Sequence, residues 1–288
     1  MAFLNTSIWI SAAFLLTGLV ANGDPVDDYL KGEMAKENVP GVSLAVVKEG
    51  KTLKVQGYGF ANVELGVPVT SETRFEIGSV TKQFTASLIM LLAEEGKLSL
   101  DDTIQKHLAG LPTSWSGITL RHLLTHTSGI TNYNSLSGFE VARRLNATSF
   151  TRQISKYPLM FKAGDHWSYG NSAFSLLGYT IEKLTGKSYW DVLSERIFKP
   201  AGMSNSRSRD ATAVITSRAS GYEFEGGRLV NRDSDLTDVF SAGAIVSTAP
   251  DGARTQHDQE RILAQVDRAL DEFFPPAQIT AAPGTQAE

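Results

Sequence analysis

Strand patterns occur early and late in this chain, and helical patterns occur between them. Gly41 to Val47 and Thr52 to Val63 are apolar, β-branched segments joined by the turn Lys48 to Lys51, and together they predict a β-hairpin. Ala219 to Val230 predicts a second hairpin, whereas the residues from about 100 to 215 are mostly helical and loop-rich in pattern. This order predicts an α+β body with a helical insert.

Two helices are predicted with defined ends. Asp27 to Glu37 has the pattern of a short amphipathic helix. A stronger pattern begins at Ser79, where apolar residues recur at helical spacing until Gly96, a typical helix stop. The apolar positions of this second helix are Phe84, Leu88, Leu91 and Leu92.

Charge and cysteine content exclude several classes of function. The 288 residues carry a formal net charge of −4 and contain no cysteine. Without a cluster of Lys and Arg, the chain lacks the electrostatic signature of a nucleic-acid-binding protein. Without cysteine, it can form neither disulfides nor thiolate metal sites, and it has no Cys nucleophile.

The N-terminus carries a candidate export signal. Ile8 to Val20 is apolar but too short to span a bilayer comfortably, and the small residues Ala21-Asn22-Gly23 follow it. We interpret residues 1–23 as a signal peptide, which predicts an exported protein, periplasmic or secreted. A membrane anchor and a buried N-terminal helix are the alternatives, so any membrane contact would come through an uncleaved N-terminal segment.

A candidate nucleophile lies at the start of the predicted helix. Ser79 and Lys82 are three residues apart, which places both side chains on one helix face, about one turn apart. A serine hydroxyl needs a base to take its proton, and a lysine can serve if burial lowers its pKa. The alternative is that Ser79 only caps the helix.

A second polar group precedes another predicted helix, Ser172 to Leu184. In Tyr169-Gly170-Asn171, the tyrosine oxygen could share a proton relay with Lys82, and the Asn171 amide could hold a substrate carbonyl or amide. In isolation, the same residues would fit a solvent-exposed turn before a helix.

Two histidines have a spacing that also occurs in metal sites. His122 and His126 are four residues apart on a predicted helix, but Leu123 stands where a zinc protease motif has glutamate, and no third ligand is evident. We therefore assign both histidines a structural role and predict no metal site.

With their surroundings, the Ser-x-x-Lys and Tyr-x-Asn motifs resemble the serine β-lactamase and penicillin-binding superfamily. The resemblance is closest to the branch of class C β-lactamases, D-alanyl-D-alanine peptidases and related esterases, and it covers most of residues 27–251. The matching stretches are FEIGSVTKQFTA (75–86), LLAEEGKLSLDD (91–102), ITLRHLLTHTSGI (118–130), LLGYTIEKLTGKSYWDVL (176–193) and SAGAIVSTAPD (241–251).

The resemblance implies a fold, a reaction and site residues. The implied fold is β-lactamase-like: an antiparallel sheet flanked by helices, plus an all-helical region. Ser79 is then the acylated residue, Lys82 and Tyr169 are the acid/base pair, and Asn171 orients the substrate. The implied substrate is a small molecule or peptide with an amide, lactam or ester bond, and no cofactor is required.

The C-terminal part departs from this branch. Its members carry Lys-Thr-Gly or His-x-Gly on an edge strand that supplies an oxyanion N–H, whereas Thr185-Gly186 here lies at a helix end and Asp258-Gln259 follows His257. We therefore expect the C-terminal strands to be missing. The predicted organisation is a signal peptide at 1–23, a hydrolase domain at 24–251 and a divergent tail at 252–288, with one amphipathic helix from Gln259 to Phe274.

Three functions follow from these patterns. The first is a serine hydrolase of the β-lactamase-related type that forms an acyl-enzyme at Ser79. The second is a catalytically inactive protein that binds peptidoglycan-like peptides. The third is a truncated scaffold without a stable function.

Overall fold

A computed structural model describes residues 24–136, 145–233 and 237–254, which fall into two compact units divided between Val39 and Pro40. Helix α1 (Pro25–Lys36) belongs to the first unit. Its start is fixed by Asp24, whose carboxylate accepts the Val26 N–H at 2.9 Å, and by the proline in its first turn. The helix therefore begins two residues earlier than predicted. The proposed signal peptide and the predicted tail helix lie outside the described residues.

The first predicted hairpin is present. Strands β1 (Gly41–Lys48) and β2 (Lys51–Asn62) pair antiparallel, with Gly41 opposite Gly59. A short strand β3 (Val67–Pro68) extends this sheet beside β2.

A second, smaller sheet leads into the candidate nucleophile. Its order is β4-β8-β5, formed by β4 (Phe75–Glu76), β5 (Arg207–Ser208) and β8 (Ile245–Ser247). In the ranges that the structure describes, β8 is the last strand along the chain, and the described residues end at Arg254. The pairing ends just before Gly78, because the Ile77 N–H still donates to the Ile245 carbonyl at 3.0 Å.

The late hairpin is also confirmed. Strands β6 (Tyr222–Glu225) and β7 (Arg228–Asn231) pair antiparallel across the Gly226-Gly227 turn. Both turn glycines have positive φ, which is the conformation for which glycine is preferred.

Along the sequence, most helices lie between strands β4 and β5 of the second sheet. They are α2 (Thr81–Glu94), α3 (Ile104–His107), α4 (Leu120–Leu124), α5 (Ala147–Ile154), α6 (Asn171–Thr185) and α7 (Tyr189–Leu193), which continues as a π-helical turn at Ser194–Phe198. The fold is therefore α+β and β-lactamase-like. No helix in the described part of the chain is long and apolar enough to cross a membrane.

Helix α6 lies at the centre of the core. Its residues from Ser172 to Ile181 are all buried, and it packs against α2 and against the 3₁₀ segment Thr237–Ala242. Gly178 allows that segment to approach, since a Cβ at this position would be 2.1 Å from the Ser241 Oγ. The close approach matters because the segment ends at Ala242, whose carbonyl reaches the candidate site.

We predict that Gly178→Ala destabilises the protein. The added methyl would overlap Ser241 and should lower the free energy of unfolding by about 1–3 kcal/mol, the usual range for overpacking a core. Urea denaturation provides the measurement. Gly117→Ala is the matched control, because nothing lies within 4 Å of a Cβ there. Equal stability of the two variants would contradict the packing described for α6.

Candidate active site

The candidate nucleophile lies at the junction of the second sheet and α2. Gly78 has a φ of 51°, which turns the chain from β4 into the 3₁₀ turn Gly78–Val80. Helix α2 therefore begins at Thr81 rather than at Ser79 as predicted. Ser79 is exposed and can be reached by a substrate, whereas Lys82 is only 8% exposed. The Lys82 Nζ lies 3.2 Å from the Ser79 Oγ.

Tyr169 approaches the same serine from another part of the chain. It lies in the segment before α6, and its hydroxyl donates to the Ser79 Oγ at 2.6 Å. The Lys82 Nζ lies 4.6 Å from the centroid of the Tyr169 ring, within the distance of a cation–π contact. The structure therefore brings together three of the predicted site residues, and Tyr169 contacts Ser79 directly.

Asn171, the first residue of α6, holds Lys82 in place. The Lys82 Nζ donates to the Asn171 Oδ1 at 2.7 Å. The amide oxygen of Asn171 therefore faces Lys82, and the Asn171 Nδ2 donates to the Asn134 Oδ1 at 2.8 Å. Asn132 completes the arrangement by accepting the Asn171 backbone N–H at 3.1 Å. Asn171 therefore positions Lys82, and its contact with a substrate stays a prediction.

Sequence reasoning missed one partner of Lys82, the carbonyl of Ala242. The Lys82 Nζ donates to this oxygen at 2.8 Å. The matching stretch at 241–251 includes Ala242, but a side-chain pattern gives no signal for a contact made by the backbone. Asn132 and Asn134 were missed as well, although they follow the stretch at 118–130 closely.

The surroundings of Lys82 lower its pKa. Burial lowers the pKa of Lys82 below that of an exposed lysine, and the Tyr169 hydroxyl opposes this shift. A neutral amine keeps two hydrogens and one lone pair. In the charged form the Nζ donates to the Ser79 Oγ, the Asn171 Oδ1 and the Ala242 carbonyl. Loss of the proton directed at the Ser79 Oγ leaves a lone pair facing that oxygen, while the other two hydrogens stay bonded. This is the arrangement that a general base for Ser79 requires.

The prediction that one helix carries both His122 and His126 is wrong. Helix α4 ends at Leu124, and His126 has a φ of 58°, outside any helix. His122 accepts the Thr119 backbone N–H in a capping box, while the ring of His126 lies 4.7 Å from the Tyr169 ring, between centroids. Within the described ranges, no group of three or more His, Asp or Glu could hold a metal ion.

We predict that a negative charge at position 171 would raise the pKa of Lys82. Asn171→Asp places a carboxylate 2.7 Å from the Nζ in this geometry, and an opposite charge at such a distance raises an amine pKa by about 1–3. NMR titration of the Lys82 ε-methylene group measures the change. Asn134→Asp is the control, because it adds the same charge one side chain farther away. The contact between Asn171 and Lys82 is refuted if both variants raise the pKa equally.

Comparison with known proteins gives consistent matches. The family described as Beta-lactamase matches residues 26–288, which extends beyond Asp251, where the matching stretches end. "Protein flp" of Staphylococcus aureus (strain COL) is 31% identical over 229 residues, covering 77% of this chain and 46% of that protein. "Putative penicillin-binding protein PbpX" of Bacillus subtilis (strain 168) is 31% identical over 207 residues, covering 72% of this chain and 51% of that protein.

Solved structures of penicillin-binding proteins and their homologues also match this chain. The octameric penicillin-binding protein homologue from Pyrococcus abyssi superposes with a TM-score of 0.71 at 32% identity, covering 82% of this chain and 56% of that one. The penicillin-binding protein from Bacillus halodurans has a TM-score of 0.69 at 27% identity, covering 81% of this chain and 73% of that one. The chain spans about half the length of the curated relatives that it matches. On the family match and these relatives together, the chain belongs to the Beta-lactamase family of serine hydrolase-like proteins.

Proposed function

We propose that this protein is a serine hydrolase that forms an acyl-enzyme at Ser79 with an amide, lactam or ester substrate. The observation that carries the proposal is the set of contacts around Lys82. Two carbonyl oxygens bind the hydrogens of its amine, and the Ser79 Oγ lies at the remaining position, 3.2 Å away. Membership of the Beta-lactamase family supports hydrolase chemistry in general.

The proposed acylation moves one proton and exchanges one bond. The neutral amine of Lys82 takes the proton of Ser79 as the Oγ attacks the substrate carbonyl carbon. When the tetrahedral intermediate collapses, the bond from carbon to the leaving nitrogen or oxygen breaks, and that atom receives a proton. Tyr169 is placed to deliver this proton because its hydroxyl already donates to the Ser79 Oγ at 2.6 Å. The proton that Lys82 took from Ser79 then passes to the Tyr169 oxygen, which restores the hydroxyl and the neutral amine. Water then hydrolyses the ester and restores Ser79.

The role proposed for Asn171 has two parts. Its Oδ1 fixes the Lys82 amine, and its Nδ2 faces Asn134 at 2.8 Å, where the amide is partly exposed. A substrate carbonyl or amide could bind the second Nδ2 hydrogen there. The penicillin-binding names of several relatives fit a β-lactam or peptide substrate for this chain, and this substrate class is part of the proposal.

We further propose that the protein acts outside the cytoplasm, in the periplasm or after secretion. The support is the apolar stretch Ile8 to Val20 and the small residues that follow it. An uncleaved N-terminal segment would instead keep the protein at the membrane.

We predict that covalent labelling depends on the Ser79 hydroxyl. The full chain should become labelled by a fluorescent penicillin or a fluorophosphonate, and Ser79→Ala should abolish the label because it removes the nucleophile. Ser87→Ala is the matched control on the same helix, since its hydroxyl binds only the Gln83 carbonyl, at 2.8 Å. Thermal melts of all three proteins verify folding.

The outcomes separate the alternatives. Undiminished labelling of Ser79→Ala would refute the assignment of the nucleophile. A folded wild-type chain that takes no label, but binds peptidoglycan peptides, would support the inactive binding protein instead. A chain without a cooperative melt would support the truncated scaffold.

We also predict that Lys82 and Tyr169 act as one relay. Lys82→Ala and Tyr169→Phe should each slow labelling strongly, and the double variant should lose less than the product of the two effects. Groups that serve the same proton path are non-additive, because either change already breaks the path. Stopped-flow labelling rates provide the measurement. Fully multiplicative losses would show that the two groups act independently.

A further inference from the structure

His126 contacts Tyr169 from several directions, although the proposed reaction does not use it. Its ring contacts two aromatic rings, with centroid distances of 4.7 Å to Tyr169 and 5.1 Å to Phe174. The planes are tilted by 37° and 35° relative to the imidazole. The ring of Trp167 meets it edge-on at 6.1 Å.

The backbone on both sides of Tyr169 also bonds to His126. The Ser168 N–H donates to the His126 carbonyl at 2.9 Å, and the Gly170 N–H donates to the His126 Nδ1 at 3.3 Å. One residue therefore binds the segment before Tyr169 with its backbone and the segment after it with its side chain. Tyr169 has little freedom to move relative to this histidine.

The backbone of His126 makes this double contact possible. Its φ of 58° lies in the left-handed region, where histidine occurs more often than most other non-glycine residues. In this conformation the carbonyl and the ring both face residues 168–170. A backbone conformation of this kind is retained only where the surroundings hold it, and such positions concentrate at functional sites.

We propose that His126 is the positioning residue of this site: a neutral imidazole that holds the Tyr169 hydroxyl against the Ser79 Oγ. The inference rests on the hydrolase function proposed above. This inference adds to the site a residue that the Ser-x-x-Lys and Tyr-x-Asn motifs do not include. His126 would act through its contacts with residues 168–170 and would not touch the substrate.

The charge state of His126 is part of this role. Accepting the Gly170 N–H requires an unprotonated Nδ1, so the ring proton lies on Nε2. Within the described residues, Lys82 of α2 acts on the imidazole through its charge, and Tyr169 from the segment before α6 packs against the ring. Burial, and secondarily the positive charge of Lys82, lower the pKa of His126 to about 4. The imidazole therefore stays neutral above about pH 5, and it neither takes the Ser79 proton nor adds a second cation beside Lys82.

Two substitutions separate the contacts of His126. His126→Phe keeps an aromatic ring in contact with Tyr169 and Phe174 but cannot accept the Gly170 N–H. His126→Asn keeps an acceptor near the position of Nδ1 and tolerates a positive φ, but it loses the ring. His122→Asn is the control, because His122 contacts Thr119 and lies outside the site.

The kinetic test uses the full chain and the fluorescent penicillin at neutral pH. His126→Phe should lower the first-order rate at saturating label by up to about 10²-fold, the effect of misplacing a reacting group by about 1 Å. The label concentration for half-saturation should change little, since His126 does not touch the substrate. His126→Asn should recover part of the rate, and His122→Asn should react at close to the wild-type rate. An undiminished rate for His126→Phe, or equal losses in both variants together with a lower melting temperature, would overturn the proposal.

A second measurement does not depend on activity. In wild-type protein with ¹³C-histidine and ¹⁵N-glycine, the His126 ring should titrate near pH 4, and the Gly170 amide should shift with the same midpoint. The Gly170 transition should disappear in His126→Asn. A Gly170 amide that ignores the His126 titration would refute the contact. A chain that takes no label, but in which His126 and the Gly170 amide titrate with the same midpoint, would refute the proposed hydrolase function. The same result would support the contact between His126 and the segment around Tyr169.

Discussion

The buried amine of Lys82 is the interaction on which the site depends. A charged or polar group removed from water costs several kcal/mol unless it is hydrogen-bonded. Two hydrogen-bond partners of Lys82 come from distant parts of the chain, since Asn171 is 89 residues away and Ala242 is 160 residues away, whereas Ser79 is three residues away. The amine is therefore satisfied only when α2, the start of α6 and the segment that ends at Ala242 have come together.

The segment that ends at Ala242 is tied to the helices on both sides. The Ser241 Oγ donates to the Phe174 carbonyl of α6 at 2.8 Å, and the Thr85 hydroxyl of α2 donates to the Ser241 carbonyl at 2.6 Å. Phe240 has a φ of 44°, which bends the chain, and its ring is buried against Tyr179, Tyr189 and Trp190. Aromatic packing thus holds an unfavourable backbone conformation that directs a carbonyl at Lys82.

The sequence predicted the local features of this fold well. The hairpin of β1 and β2, the hairpin of β6 and β7, and helix α6 followed from alternation, turn glycines and apolar spacing, which are encoded by neighbouring residues. It also predicted that Ser79, Lys82, Tyr169 and Asn171 belong together, although that conclusion required the resemblance to a family.

The errors have two physical origins. The helix assigned to His122 and His126 was wrong because an i, i+4 spacing says nothing about where a helix ends, and α4 ends at Leu124. The contact of Ala242 was missed because every residue has a backbone carbonyl. The direction of the Ala242 carbonyl depends on packing against residues such as Lys82, which is 160 positions away in the sequence. Long-range contacts of the backbone leave no trace in a side-chain pattern.

The electrostatics of the site follow from what surrounds Lys82. In the described part of the chain, its partners are a hydroxyl, an amide oxygen, a backbone carbonyl and two aromatic rings. Lys106 provides the contrast, since its exposed amine pairs with the Asp102 carboxylate at 2.6 Å. Neutral acceptors orient the Lys82 amine as firmly as a carboxylate would, but they stabilise its charge less. An amide at position 171 therefore fixes the Lys82 amine without the negative charge that would oppose loss of its proton. The imidazole at position 126 contacts Tyr169 without adding a charge of its own to the site.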